Sequence, residues 1–167
     1  MTTTRPTGTA PEAAASRAVA APPADARALG LAHYAARGVL EHFLARHGLT
    51  FPQQIALRTA VTAETPRTRD ALVTEVRGVL KADPAALQAT LDELVAGGLL
   101  AVAGAHLRPT EAGRAALAAV AAETAPVSAR IWGGIPAEDL AAAGRVLALV
   151  TERADAELAR LTAGAPA

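Results

Sequence analysis

Between Asp83 and Gly113 the chain changes its periodicity several times, and that short stretch limits the folds open to it. Asp83-Pro84 is a helix start, because aspartate accepts from free N–H groups and proline at the first helical position has no N–H to lose. Leu87, Leu91, Leu94 and Val95 follow at helical spacing until Gly97-Gly98 stops the run. Residues 99–109, LLAVAGAHLRP, are two short apolar runs around Gly104-Ala105, which predicts a short β-hairpin. Thr110 then caps a helix that begins at Glu111 and is expected to reach about Thr124, before a break at Pro126.

The flanks are helical. From Asp25 to His47 an apolar stripe of Leu29, Ala32, Ala36, Val39, Leu40, Phe43 and Leu44 predicts one long helix. Gly48 supplies its left-handed stop, and Thr50 with Gln53 is a capping-box pattern opening a helix to about Thr62. Ile55, Leu57, Ala60 and Val61 are its candidate core positions. Ala63–Thr68, with Pro66, is expected to be a connection. A third helix follows from Arg69 to about Leu80, with Leu72, Val76 and Val79 spaced for burial. Ala137 to Leu161 closes the set, with Leu140, Leu147, Ala154 and Leu161 repeating every seven residues.

Two short helices with a tight joint, followed by a hairpin, are what a winged helix-turn-helix needs. The expected fold is mainly α with a small β-hairpin wing, flanked by N- and C-terminal helices. Those two carry more apolar surface than a small domain can cover, so they are expected to be dimerisation helices of a homodimer.

Composition narrows the function. Sixteen Lys+Arg balance sixteen Asp+Glu, which argues against indiscriminate coating of nucleic acid, an affinity that comes from neutralised phosphates. Four aromatics, Tyr34, Phe43, Phe51 and Trp132, are too few for a base-stacking platform. Without cysteine there is no thiol catalysis, disulfide or thiolate metal site. Residues 1–24, rich in Thr, Ala and Pro, read as a flexible leader with a transient helix at Glu12–Ala20, and residues 162–167 as a fraying tail. Neither a signal peptide nor a membrane span is visible, so a cytoplasmic protein without a membrane partner is expected.

The stretch Leu80 to Gly113 resembles the MarR family of bacterial transcriptional regulators. It is similar to that family's recognition helix, its "L-x-x-L-x-x-x-G-L-[LV]" exit at Leu91, Leu94, Gly98, Leu99 and Leu100, and its "L-[TR]-x-T-x-x-G"-like return from Leu107 to Gly113. GLTFPQQIAL at Gly48–Leu57 resembles the "GLT-x-x-Q" opening of the second helix, and IPAEDLAAAGRVLALV the final dimerisation helix. The resemblance frames residues 25–161 as a MarR-like domain, with 25–48 and 137–161 as dimerisation helices. Residues 50–124 then form the winged helix-turn-helix with its following helix. It implies a DNA-binding homodimer on a pseudo-palindromic double-stranded site. It also implies a possible small ligand, often aromatic or phenolic, between the dimer helices and the reading heads.

The sequence departs from the family where DNA would be touched. The outward face of the recognition helix reads Ala85, Ala86, Gln88, Ala89 and Asp92, so Gln88 alone can pair with a base edge, most naturally adenine, with a solvated surface residue as the alternative. The wing has no arginine before Arg108, where the family carries arginines near the tip. From Arg58 to Arg114 seven basic residues face seven acids, so the head itself is neutral. Arg67, Arg69, Arg77, Lys81 and Arg108 are the candidate phosphate contacts, with ordinary solvated charges as the alternative. A winged-helix dimer that has lost DNA reading, acting through protein contacts or ligand binding, therefore stands beside the DNA-binding regulator.

Little else carries chemistry. His33 and His42 fall on opposite sides of the first helix, and His42 and His47 are five apart, a poor chelating spacing. Asp92-Glu93 and Glu138-Asp139 diverge from their helices, and no nucleophile elbow or phosphate loop is present. No enzyme, metal or cofactor is expected. A ligand pocket is expected where the first helix meets the second and fifth, with His33, Tyr34, Arg37 and Arg58 as candidate contacts. The alternative makes Tyr34 core filler and leaves both arginines solvated. Trp132 is expected to pack at the dimer interface.

Overall fold

The computed structural model describes residues 23–164. Most of the expected leader, with its transient helix at Glu12–Ala20, and the last three residues of the tail lie outside the described residues. The described residues form α1 (Ala26–Arg46), α2 (Phe51–Thr62), β1 (Arg67–Thr68), α3 (Arg69–Leu80), α4 (Pro84–Ala96), β2 (Leu100–Ala103), β3 (His106–Pro109), α5 (Glu111–Trp132) and α6 (Ala137–Ala163). The chain divides into two compact units, one ending at Arg37 and one beginning at Gly38.

Local chemistry explains most boundaries. Asp25 Oδ1 accepts from the Ala28 N–H at 2.8 Å, opening α1. At α2 the capping box is complete: the Gln53 N–H donates to Thr50 Oγ1, and Gln53 Oε1 accepts from the Thr50 N–H. Gln53 Nε2 also donates to Glu93 Oε2 at 2.8 Å, tying the start of α2 to α4. Asp83 Oδ2 accepts from the Ala85 and Ala86 N–H groups at the start of α4. That helix ends in a Schellman motif on Gly98 (φ 71°), with Leu99 N–H donating to Leu94 O and Gly98 N–H to Val95 O.

Thr110 joins the wing to α5. Its hydroxyl accepts from the Gly113 N–H at 3.0 Å and donates to Gly98 O at 2.7 Å, so one side chain caps a helix and satisfies a turn carbonyl. Gly113 is needed because α5 passes very close to the chain entering β2. A Cβ there would sit 2.3 Å from Leu99 O and 3.1 Å from Leu57 Cδ1.

The sheet has one strand more than expected. The predicted connection contains β1, which pairs antiparallel with β3 (Arg67 opposite Leu107, Thr68 opposite His106), giving the order β1-β3-β2. Two residues are too few to show an alternation of apolar and polar side chains, so nothing in sequence marked the strand. The hairpin itself is as expected, with Ala103 opposite His106 across a turn whose first position is Gly104 (φ 61°).

The core of the second unit draws on every neighbouring element. Leu44, Leu57, Leu72, Leu91, Leu94, Leu100 and Val76 are almost wholly buried, joined by Leu107 and Val120. In α3 the buried face is Leu72, Val73 and Val76, with Leu80 half-buried, whereas Val79 is 56% exposed. The expected position fails because that stripe turns from 76 to 80, not 79. Of the expected α1 stripe only Leu44 is buried, with Leu40 and Phe43 half-buried and Leu29 and Val39 exposed.

The helix after the wing does not stop at Thr124. α5 runs through Pro126 to Trp132 and is terminated by Gly133, whose N–H donates to Ala129 O, and Gly134 (φ 79°). Proline removes one hydrogen bond and crowds the preceding turn, which kinks a helix without obliging it to end. Likewise α6 continues to Ala163, into the expected tail, and stops at Gly164. None of its residues is buried, and Val146, Leu147, Leu149, Val150, Leu158 and Leu161 are exposed, as is Trp132.

Candidate nucleic-acid interface

α3 and α4 form the helix-turn-helix. The face of α4 carrying Leu87, Leu91 and Leu94 is buried in the core, which leaves Ala85, Ala86, Gln88, Ala89 and Asp92 on the exposed face. The joint before α4 turns on Lys81, the non-glycine residue with a left-handed backbone among the described residues (φ 52°). Lys81 Nζ donates to Gly78 O at 2.6 Å, closing over the end of α3.

The cations that sequence singled out are not equivalent. Arg69, the first residue of α3, pairs with Asp92 of α4 at 2.7 Å, and Arg67 pairs with Glu75 at 2.8 Å while donating to Thr65 Oγ1. Lys81 pairs with Asp155 of α6 at 2.8 Å. Arg77 and Arg108 are exposed and stand in no ion pair among the described residues. Three of the five candidate phosphate contacts thus already face a carboxylate. These pairs are solvent-accessible, so each is worth no more than about 1 kcal/mol and a phosphate can compete for the cation.

Glu75, Asp92 and Asp155 therefore belong to the candidate interface; the sequence placed Asp92 on the outward face of α4 but linked none of the three to a cation. Glu75 lies eight residues from its partner in a different element, and Asp155 is carried by another helix. No local spacing rule connects such residues. Behind the head, Glu123 of α5 meets Arg46 Nη1 and His47 Nε2, both at 3.2 Å, which gives His47 a structural partner. Among the described residues no three His, Asp or Glu side chains gather as a metal site.

The candidate ligand contacts are dispersed. His33 and Tyr34 line a hollow of about 370 Å³ with Ala26, Leu29 and Gly30, so α1 alone forms it. Their rings meet edge to face at 5.4 Å, and Tyr34 is 70% exposed rather than core filler. Arg37 is half-buried and outside that lining, and Arg58 is an exposed residue of α2. No described helix is long and apolar enough to cross a membrane.

Solved structures with this arrangement identify the fold. A MarR-family transcriptional regulator from Rhodococcus superposes with a TM-score of 0.62 at 19% identity, covering 74% of this chain and 89% of the other. The fold is that of the MarR regulators. CouR from Rhodococcus jostii, solved bound to p-coumaroyl-CoA, has a TM-score of 0.63 at 20% identity over 74% of this chain and 88% of CouR. A MarR-family protein of Mycobacterium tuberculosis, solved in complex with DNA, has a TM-score of 0.58 at 22% identity over 77% and 98% of the two chains. No protein-family model and no curated protein matches the sequence. Within the MarR fold, α3 and α4 are the helix-turn-helix, β2 and β3 the wing, and α1, α5 and α6 the surrounding helices.

Proposed function

We propose that the chain is a DNA-binding transcriptional regulator, acting as a homodimer on a pseudo-palindromic double-stranded site. The observation that carries this reading is the exposed outer face of α4, held by a fully packed inner face in a MarR fold. Gln88 is the base-reading residue, and Arg77 and Arg108 are the first phosphate contacts. Arg67, Arg69 and Lys81 are further candidates, held back by Glu75, Asp92 and Asp155 unless phosphates displace those carboxylates. The unburied apolar residues of α6, with Trp132, support the homodimer, because a helix of this length does not leave such a row in water without a partner. The DNA complex of the mycobacterial neighbour supports the DNA partner.

A small-molecule effector belongs to the same proposal. The exposed His33 and Tyr34 rings support an aromatic or phenolic ligand, as does the acyl-CoA bound to CouR. The cytoplasm is the proposed location.

A second reading is favoured by the ion pairs themselves. A head whose cations face its own carboxylates, with an alanine-rich α4 face and no arginine at the wing tip, suits a dimer that works through protein or ligand contacts. Binding to DNA upstream of the chain's own gene separates the two. The regulator retains a site over excess competitor and loses that preference with Gln88→Ala. Absence of any preference at low salt favours the second reading.

A further inference from the structure

Two unpaired cations, one of them the candidate phosphate contact Arg108, also meet at a hollow that no α4 residue lines. A hollow of about 200 Å³ opens where the α2–β1 connection meets β3 and the start of α5. Arg108 and Arg114 both line it, and neither stands in an ion pair among the described residues. Glu64 lines it too and is equally unpaired. Two guanidiniums and one carboxylate leave a single positive charge, which suits a monoanion and disfavours a dianion.

The remaining lining defines the rest of the guest. Ala60, Ala63, Pro66 and Pro109 give an apolar wall without polar side-chain atoms. Thr65 Oγ1 accepts from Arg67 at 2.9 Å, so its own hydroxyl proton is available to an acceptor in the hollow. A cavity of about 150 Å³ already accepts a six-carbon ring, so this volume takes an acid of a few carbons.

We propose that this hollow binds a short-chain monocarboxylate. Its carboxylate lies between Arg108 and Arg114, the guanidinium fork matching the two oxygens, and its hydrocarbon body rests on the alanine and proline wall. Both guanidiniums remain open to solvent, so the affinity is modest. Neither His33 nor Tyr34 lines the site, and it shares Arg108 with the proposed phosphate contacts, so it is tested without DNA.

Sodium butyrate, titrated into the full chain at constant ionic strength and followed by NMR, tests the assignment. The expected result is saturable shifts of the Arg108 and Arg114 Nε–H signals and of the amides of residues 60–66, with neutral butyramide producing none. Arg114→Gln weakens butyrate by about tenfold, and Glu64→Gln tightens it. Both positions are on the surface, and an otherwise unchanged amide spectrum verifies the fold of each variant. Shifts that fail to saturate, equal shifts from butyramide, or undiminished binding by Arg114→Gln would overturn the proposal. Tighter binding of inorganic phosphate at alkaline pH would overturn the monocarboxylate class.

Discussion

The winged unit and α6 are both rich in leucine, valine and alanine, yet they spend those residues differently. In the winged unit Leu57, Leu72, Leu91, Leu94 and Leu100 are all at most 2% exposed, each closing against helices of the same chain. In α6, Leu147, Leu149, Val150 and Leu158 are each more than 40% exposed. The first pattern is a core that one chain completes. The second is an apolar row that the described residues do not bury, joined to the head through the Lys81–Asp155 pair. Apolar periodicity identifies a buried face but does not say which molecule buries it.

Substitutions in the two regions should therefore fail in different ways. The largest effect is expected at Leu91, 1% exposed, where Leu91→Ala costs about 3 kcal/mol in urea unfolding. An effect below about 1 kcal/mol would mean that the core is not the organising element. In α6, the double change Leu147→Glu and Leu158→Glu is expected to raise the dissociation constant of the proposed homodimer roughly a hundredfold. Sedimentation reads that change, while the amide spectrum of the winged unit stays in place. Loss of both dimer and fold together would erase the contrast. Gly113→Ala sharpens it from the packed side: the new Cβ would collide with Leu99 O, costing about 2 kcal/mol by thermal unfolding. The same change at Gly144 in α6, where nothing lies within 4 Å of the added atom, is expected to be neutral or stabilising.

How far the sequence carried depended on whether the deciding interaction was local. Caps were legible because Thr50–Gln53 and Asp83–Pro84 act within one turn. Gly98 and Gly104 were legible because left-handed turns select for glycine. β1 was not, since its two residues become a strand only by pairing with β3, about forty residues later. Pro126 misled because a helix-breaking propensity is a local rule that a longer helix overrode. At the candidate interface the cations were visible, but their state was not. Whether Arg69 is free depends on Asp92 in the next helix, and whether Lys81 is free depends on Asp155 in α6. The net neutrality of the head was countable from sequence; its organisation into specific pairs needed the fold.

Those pairs bear on the central claim, that the α4 face reads DNA with few free cations. DNA affinity measured across a salt series tests it most directly, because each phosphate contact contributes about −0.9 to the slope of log K against log salt. With Arg77 and Arg108 as the unpaired members of the five candidate phosphate contacts in each protomer, the account predicts a site preferred over competitor DNA and a slope of about −4 for the proposed dimer. A slope near −9 would mean that Arg67, Arg69 and Lys81 also leave their carboxylates on binding. No preference over competitor at any salt concentration would contradict the claim itself.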